Sequence, residues 1–129
     1  MTQMDVSRQM KLTIPADRTY APVAALALSG LGMIAGLDVD LLGDLRTVTS
    51  ECVDCLLHQA GKPAQISLTA FVDEQQLHVA FAALERERVQ EDDPLALEIT
   101  RGLLETLMPT VELRSDADGV HAIECAMPV

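Results

Sequence analysis

The chain has 129 residues, enough for one domain, and with 49% of them apolar it can bury a core without disulfides or metal. Its formal net charge of −11 repels phosphate backbones and anionic lipid headgroups, so a basic protein surface is the expected partner and neither nucleic acid nor membrane is. The aromatic side chains Tyr20, Phe71 and Phe81 are too few for a base-stacking or carbohydrate platform.

Residues 1–9 are polar and read as a flexible or edge segment, after which Met10-Lys11-Leu12-Thr13-Ile14 alternates with period two and predicts a strand closing at Pro15. A helix follows, with Pro22 in its first turn. Its apolar positions Val23, Leu26, Ala27, Gly30 and Ile34 recur at three- and four-residue steps, and Gly36 stops it. Asp38 or Asp40 caps a central helix that runs to about residue 60, before Gly61 and Pro63. Leu41, Leu42, Leu45, Val48, Cys52, Val53, Leu56 and Leu57 form its buried side. Alternating segments at 64–72 and 76–83 flank Asp73-Glu74-Gln75 as a hairpin. Residues 85–93 form a charged connector, read as a loop or an exposed helical turn. A third helix over 95–108 has helical spacing at Leu97, Leu103, Leu104 and Leu107 and closes at Pro109. Strands at 110–115 and 120–127 surround the turn signature Asp116-Ala117-Asp118-Gly119. The order β-α-α-β-β-α-β-β predicts an α+β fold with helices on one face of a mixed sheet.

Cys52, Cys55 and Cys125 make an odd count, no leader-like segment opens the chain and no apolar run reaches membrane-spanning length; the cytoplasm is the expected location. Cys52-x-x-Cys55-x-x-His58 has a metal-ligand spacing but no fourth ligand, and cysteines on the apolar side of a helix usually just pack, so no metal is expected. A Cys55 nucleophile activated by His58 lacks a third orienting group, and His78 and His121 are isolated strand residues. The run Gly30-Leu31-Gly32-Met33-Ile34-Ala35-Gly36 lies within a helix, not between strand and helix, which excludes a dinucleotide fingerprint.

Four stretches carry a resemblance: Ile14-Pro15-Ala16-Asp17-Arg18-Thr19-Tyr20, Ala35-Gly36-Leu37, Glu51-Cys52-Val53-Asp54-Cys55-Leu56-Leu57, and residues 94–105. Together they resemble the anti-sigma-factor serine-kinase branch of the GHKL ATPase superfamily, which also contains histidine kinases. The resemblance implies a single histidine-kinase-like domain, a two-layer α/β sandwich of the Bergerat type, that binds a sigma factor or an anti-sigma antagonist in bacterial transcription control.

At each nucleotide-binding position the chain departs from that family. Glu51 keeps the position of the catalytic base, but Cys55 stands where the family has the Asn that holds magnesium, and a soft, protonated thiol is a poor ligand for a hard cation. Asp54 offers oxygen but is rotated about 100° around the helix. The family's adenine-recognising Asp-x-Gly-x-Gly corresponds to Ala83-Leu84-Glu85-Arg86-Glu87, and its phosphate-cradling Gly-Leu-Gly-Leu to Pro94-Leu95-Ala96-Leu97, where Pro94 has no N–H to offer and Ala96 obstructs close approach. The resemblance therefore implies a pseudoenzyme, a regulator acting by protein binding without a cofactor. The alternative is an active serine/threonine kinase that uses ATP and magnesium, with Glu51 as base and Asp54 or substrate oxygens contacting the metal. Ala25 stands where the family commonly has Arg, and the nearly uncharged segment 21–36 reads as a homodimer seam.

Overall fold

A computed structural model describes residues 8–73, 75–89 and 94–129. Strands β1 (Met10–Pro15), β3 (Gln65–Val72), β4 (Gln76–Leu84), β6 (Thr110–Asp116) and β7 (Gly119–Pro128) form one sheet in the order β1-β3-β4-β7-β6. Alternation decides its two faces. Ile66, Leu68 and Ala70 of β3, Leu77, Val79 and Phe81 of β4, and Ile123, Cys125 and Met127 of β7 point to one side and are buried. Ser67, Thr69, His78, Ala80 and Glu124 point to the other. All four pairings are antiparallel, where a mixed sheet was expected. Only three residues separate β3 from β4 and two separate β6 from β7, and links that short permit only antiparallel pairing.

Helices α1 (Ala21–Ile34), α2 (Val39–Leu57) and α3 (Pro94–Leu107) make the second layer, with α2 packed against α1, α3, β4 and β7. Asp38 starts α2 by accepting a hydrogen bond from the Leu41 N–H at 2.9 Å. Leu45, Val48, Cys52, Val53 and Leu56 are fully buried, and each large apolar side chain so placed contributes roughly 1.5–3 kcal/mol. The helix ends three residues before the expected position, because the Lys62 ammonium and the Gln59 amide donate to the carbonyls of Leu57 and Cys55.

The apolar repeat read from α1 is its exposed side. Val23 is 46%, Leu26 72% and Ile34 85% exposed, while Ala21, Ala24, Ala25, Leu28 and Gly32 are buried. The small residues face α2 because they let the two helices approach closely. A Cβ added at Gly32 would lie 2.8 Å from a Leu42 methyl.

Two short strands were not foreseen: β2 (Gly61–Lys62) pairs with β5 (Glu87–Arg88). The start of the charged connector is therefore ordered structure and not a solvated loop. Arg86 forms an ion pair with Asp116, one arm at 3.0 Å, and Arg88 donates to the Ala117 carbonyl at 2.8 Å and the Asp118 carboxylate at 3.2 Å. The rest of that connector, residues 90–93, and residues 1–7 of the amino-terminal segment lie outside the described residues.

Gly119 (φ 96°) and Glu85 (φ 55°) both adopt left-handed backbone. Opposite effects follow when their side chains are exchanged for the smaller or larger alternative. Gly119→Ala should cost about 1–2 kcal/mol, whereas Glu85→Gly should leave stability unchanged or raise it by up to about 1 kcal/mol. Urea melts of the two variants check this, and a clear loss for Glu85→Gly would contradict the strain assigned to that residue.

Candidate functional site

The sequence-derived positions gather around α2. Glu51 and Cys55 lie one turn apart on it, Glu51 half-buried and Cys55 only 5% exposed. Burial first, and then the charge of Glu51, push the Cys55 thiol from its ordinary 9.0 to about 11. Its sulfur lies 3.6 Å from the Gln59 Nε2, and the Gln59 Oε1 accepts from the Val120 N–H at 2.9 Å, which ties the end of α2 to β7. A protonated thiol packed in this way offers no ligand to magnesium. Asp54, the nearest alternative oxygen, instead faces Arg18 at 3.3 Å. That arginine projects from a short 3-10 turn, Arg18–Tyr20, capped by Asp17 through the Thr19 N–H at 2.9 Å.

Ala83 sits near the end of β4 opposite Ile66 and packs against the core. Two residues on, Glu85 carries the left-handed backbone that a glycine would adopt without strain. Pro94 and Ala96 occupy the exposed first turn of α3. The structure thus brings Glu51 and Cys55 together and places Ala83, Pro94 and Ala96 on two of the elements that α2 packs against, β4 and α3. At these points Cys55 offers a buried, protonated thiol and Pro94 has no backbone N–H.

The metal-like spacing on α2 disperses. The Cys52 thiol faces Cys125 on β7; that neighbouring sulfur first, and then burial, push Cys52 well above the ordinary thiol range. Cys55 faces Gln59, while the His58 Nδ1 lies 2.6 Å from the Asp54 carbonyl oxygen of its own helix. Among the described residues no group of three or more His, Cys, Asp or Glu side chains is placed to hold a metal ion. Nor is any described helix long and apolar enough to cross a membrane.

Two surface features escaped the sequence reading. On the open face of the sheet, Gln9, Thr69, Phe71, His78, Ala80 and Glu124 border a shallow depression of about 370 Å³. His78 stacks on Phe71 at 4.5 Å and its Nε2 lies 2.8 Å from the Asp73 carboxylate. The period-two pattern carried the signal, since 69, 71, 78 and 80 all fall opposite the buried face. The second feature is on α3, where Leu95 is 67%, Ile99 65% and Leu103 37% exposed, whereas Leu104 is buried. Steps of four residues mark that exposed stripe, but helical spacing alone does not tell a buried stripe from an exposed one. Glu98, Arg101 and Glu105 project beside it.

The Cys55 environment has a pH signature. Its raised folded-state value leaves stability intact below pH 9.0 and removes it as pH rises toward about 11, because the unfolded chain releases the proton first. Wild type should lose roughly 1–3 kcal/mol more than Cys55→Ala across that window, as measured by urea melts at pH 8 and pH 11. An equal loss would show that the thiol is not buried as described. The chain matches no protein-family model and no curated protein at a significant level.

Proposed function

We propose that this protein is a regulator that acts by binding another protein and not by turning over ATP, similar to the anti-sigma factors of the GHKL superfamily, and that it works in the bacterial cytoplasm on a sigma factor or an anti-sigma antagonist. The observation that carries this reading is Cys55: a buried, protonated thiol with its sulfur packed beside Gln59, at the position where the resembled family binds magnesium. The changes at Ala83, Pro94 and Ala96 act in the same direction.

A regulator of this kind needs a docking surface, and α3 supplies the best match. Leu95, Ile99 and Leu103 form apolar anchors at four-residue steps, with Glu98 and Glu105 at their margin. The net charge of −11 speeds encounter with a basic partner. Anchors supply affinity and the acidic field supplies selectivity.

Two observations favour the alternative, a serine/threonine kinase using ATP and magnesium. Glu51 remains at the base position and Glu85 keeps a glycine-like backbone at the adenine-side motif. Calorimetric titration with ATP and magnesium separates the two. The regulator gives no heat at millimolar nucleotide; micromolar binding abolished by Glu51→Ala would establish the kinase and overturn our reading. Affinity purification from the native cell should recover a sigma factor or an antagonist with wild type and at least tenfold less of it with Ile99→Glu, since a charge at a desolvated anchor costs more than about 1.4 kcal/mol. Recovery of neither protein would leave the regulatory reading without support.

A further inference from the structure

The depression on the open face of the sheet takes its shape from strand register. Ala80 on β4 pairs with Thr69 of β3 on one side and Glu124 of β7 on the other, so only a methyl group stands between a hydroxyl and a carboxylate set two strand spacings, roughly 10 Å, apart. One row along the strands, Phe71 pairs with His78, and their rings stack at 4.5 Å with an interplanar angle of 10°. The row on the other side, Ser67, Ala82 and Ala122, carries only small side chains. The space of about 370 Å³ therefore has an aromatic wall at one end and a low rim at the other.

Its charged and polar groups are set to accept hydrogen bonds. The Asp73 carboxylate, fixed by the Gln75 and Gln76 N–H groups at 3.0 and 2.8 Å, lies 2.8 Å from the His78 Nε2. An ionised carboxylate only accepts, so that nitrogen carries the ring proton and the neutral imidazole keeps Nδ1 as an acceptor. Glu124 holds Arg114 through Oε2 at 3.0 Å and keeps a second oxygen. Among the described residues no Lys or Arg lines the depression. Lys11 stands on exposed β1 opposite Thr69, and Arg114 is paired with Glu124 and, at 3.7 Å, with Glu112.

We propose that this depression binds the guanidinium group of an arginine presented by a partner protein. Charge selects a cation, because the lining supplies a carboxylate and ring and hydroxyl acceptors, and the whole chain carries −11. Shape selects arginine over lysine. A planar, delocalised guanidinium lies against a ring face and donates to two acceptors at once, which a compact ammonium on a flexible stem does not. A side chain carried by a protein fits better than a free solute, because the depression is shallow and its low rim over Ala82 leaves room for the backbone behind the head group. The site lies on the face of the sheet opposite the helices, so it does not depend on the regulatory reading or on the α3 surface.

Amide NMR of the full labelled chain tests the site, with blocked pentapeptides that place one arginine or one lysine among alanines as probes. The arginine peptide should give saturable shifts at residues 69, 71, 78, 80 and 124, and the lysine peptide should bind about fivefold more weakly or worse. Glu124→Gln removes the carboxylate charge and Ala80→Leu fills the floor. Each should weaken the arginine peptide about tenfold while the protein still melts cooperatively, and Ala80→Leu decides the matter if Glu124→Gln fails to fold. The site would be overturned by a lack of saturable shifts up to about 50 mM peptide, by equal affinity for the two peptides, or by binding that neither substitution weakens. Methylguanidinium that binds as tightly as the arginine peptide would also overturn it, since that result assigns the depression to a small solute and not to a protein side chain.

Discussion

The burial of α2 across the inner face of the sheet is the constraint on which the rest of the structure depends. Leu45, Val48, Cys52, Val53 and Leu56 have no exposure, and the layer they meet, Leu68, Val79, Phe81 and Ile123, has almost none. Interiors packed at this density tolerate little change in volume or polarity. The same burial settles the chemistry of the helix. Cys55 is drawn into the core with its proton retained and Thr49 satisfies its hydroxyl on the Leu45 carbonyl at 2.8 Å, whereas Arg46, Thr47 and Ser50 on the opposite side of α2 are exposed and Glu51 and Asp54 are half-buried. A thiol suits that site as packing and does not suit it as a metal ligand.

Polar side chains then lock the perimeter. Gln59 holds the end of α2 to both its own helix and β7, while Arg86 and Arg88 clamp the turn between β6 and β7. The Arg86 guanidinium, ahead of the Asp118 N–H, holds the Asp116 carboxyl down at about 2. Asp116, Arg88 and Asp118 are open to solvent, which screens these pairs, so their effect is more on geometry than on stability. They fix the segment after β4 in a short ribbon with β2.

How much of this the sequence revealed depended on the contrast between the faces of each element. In α2, charged and apolar positions alternate around the helix, so its buried side was readable from residues alone, while its cap was narrowed only to Asp38 or Asp40. Leu41, Leu42 and Leu57, read as buried, are only half-covered at its ends. In α1 every position is apolar or small, and periodicity found a stripe but not the direction it faces. What decided the direction was Gly32 and the alanines, whose small size suits the close contact with α2. Strands of eight or nine residues were legible to within one or two positions. The two-residue pairing of β2 with β5 was not, because period two needs more than two residues to appear. Of the candidate site, Glu51, Cys55, Ala83, Pro94 and Ala96 were reached through resemblance, and the structure adds what spacing could not: the protonation of Cys55, the pairing of Asp54 with Arg18 and the strain at Glu85.

The central claim is that the face formed by α2, the end of β4 and the start of α3 no longer accommodates a nucleotide. Backbone amide NMR of the uniformly labelled protein, recorded with and without millimolar ATP and magnesium, tests it residue by residue. The account predicts no saturable shift at residues 51–55, 83–87 or 95–97. Saturable shifts confined to those three segments would contradict it.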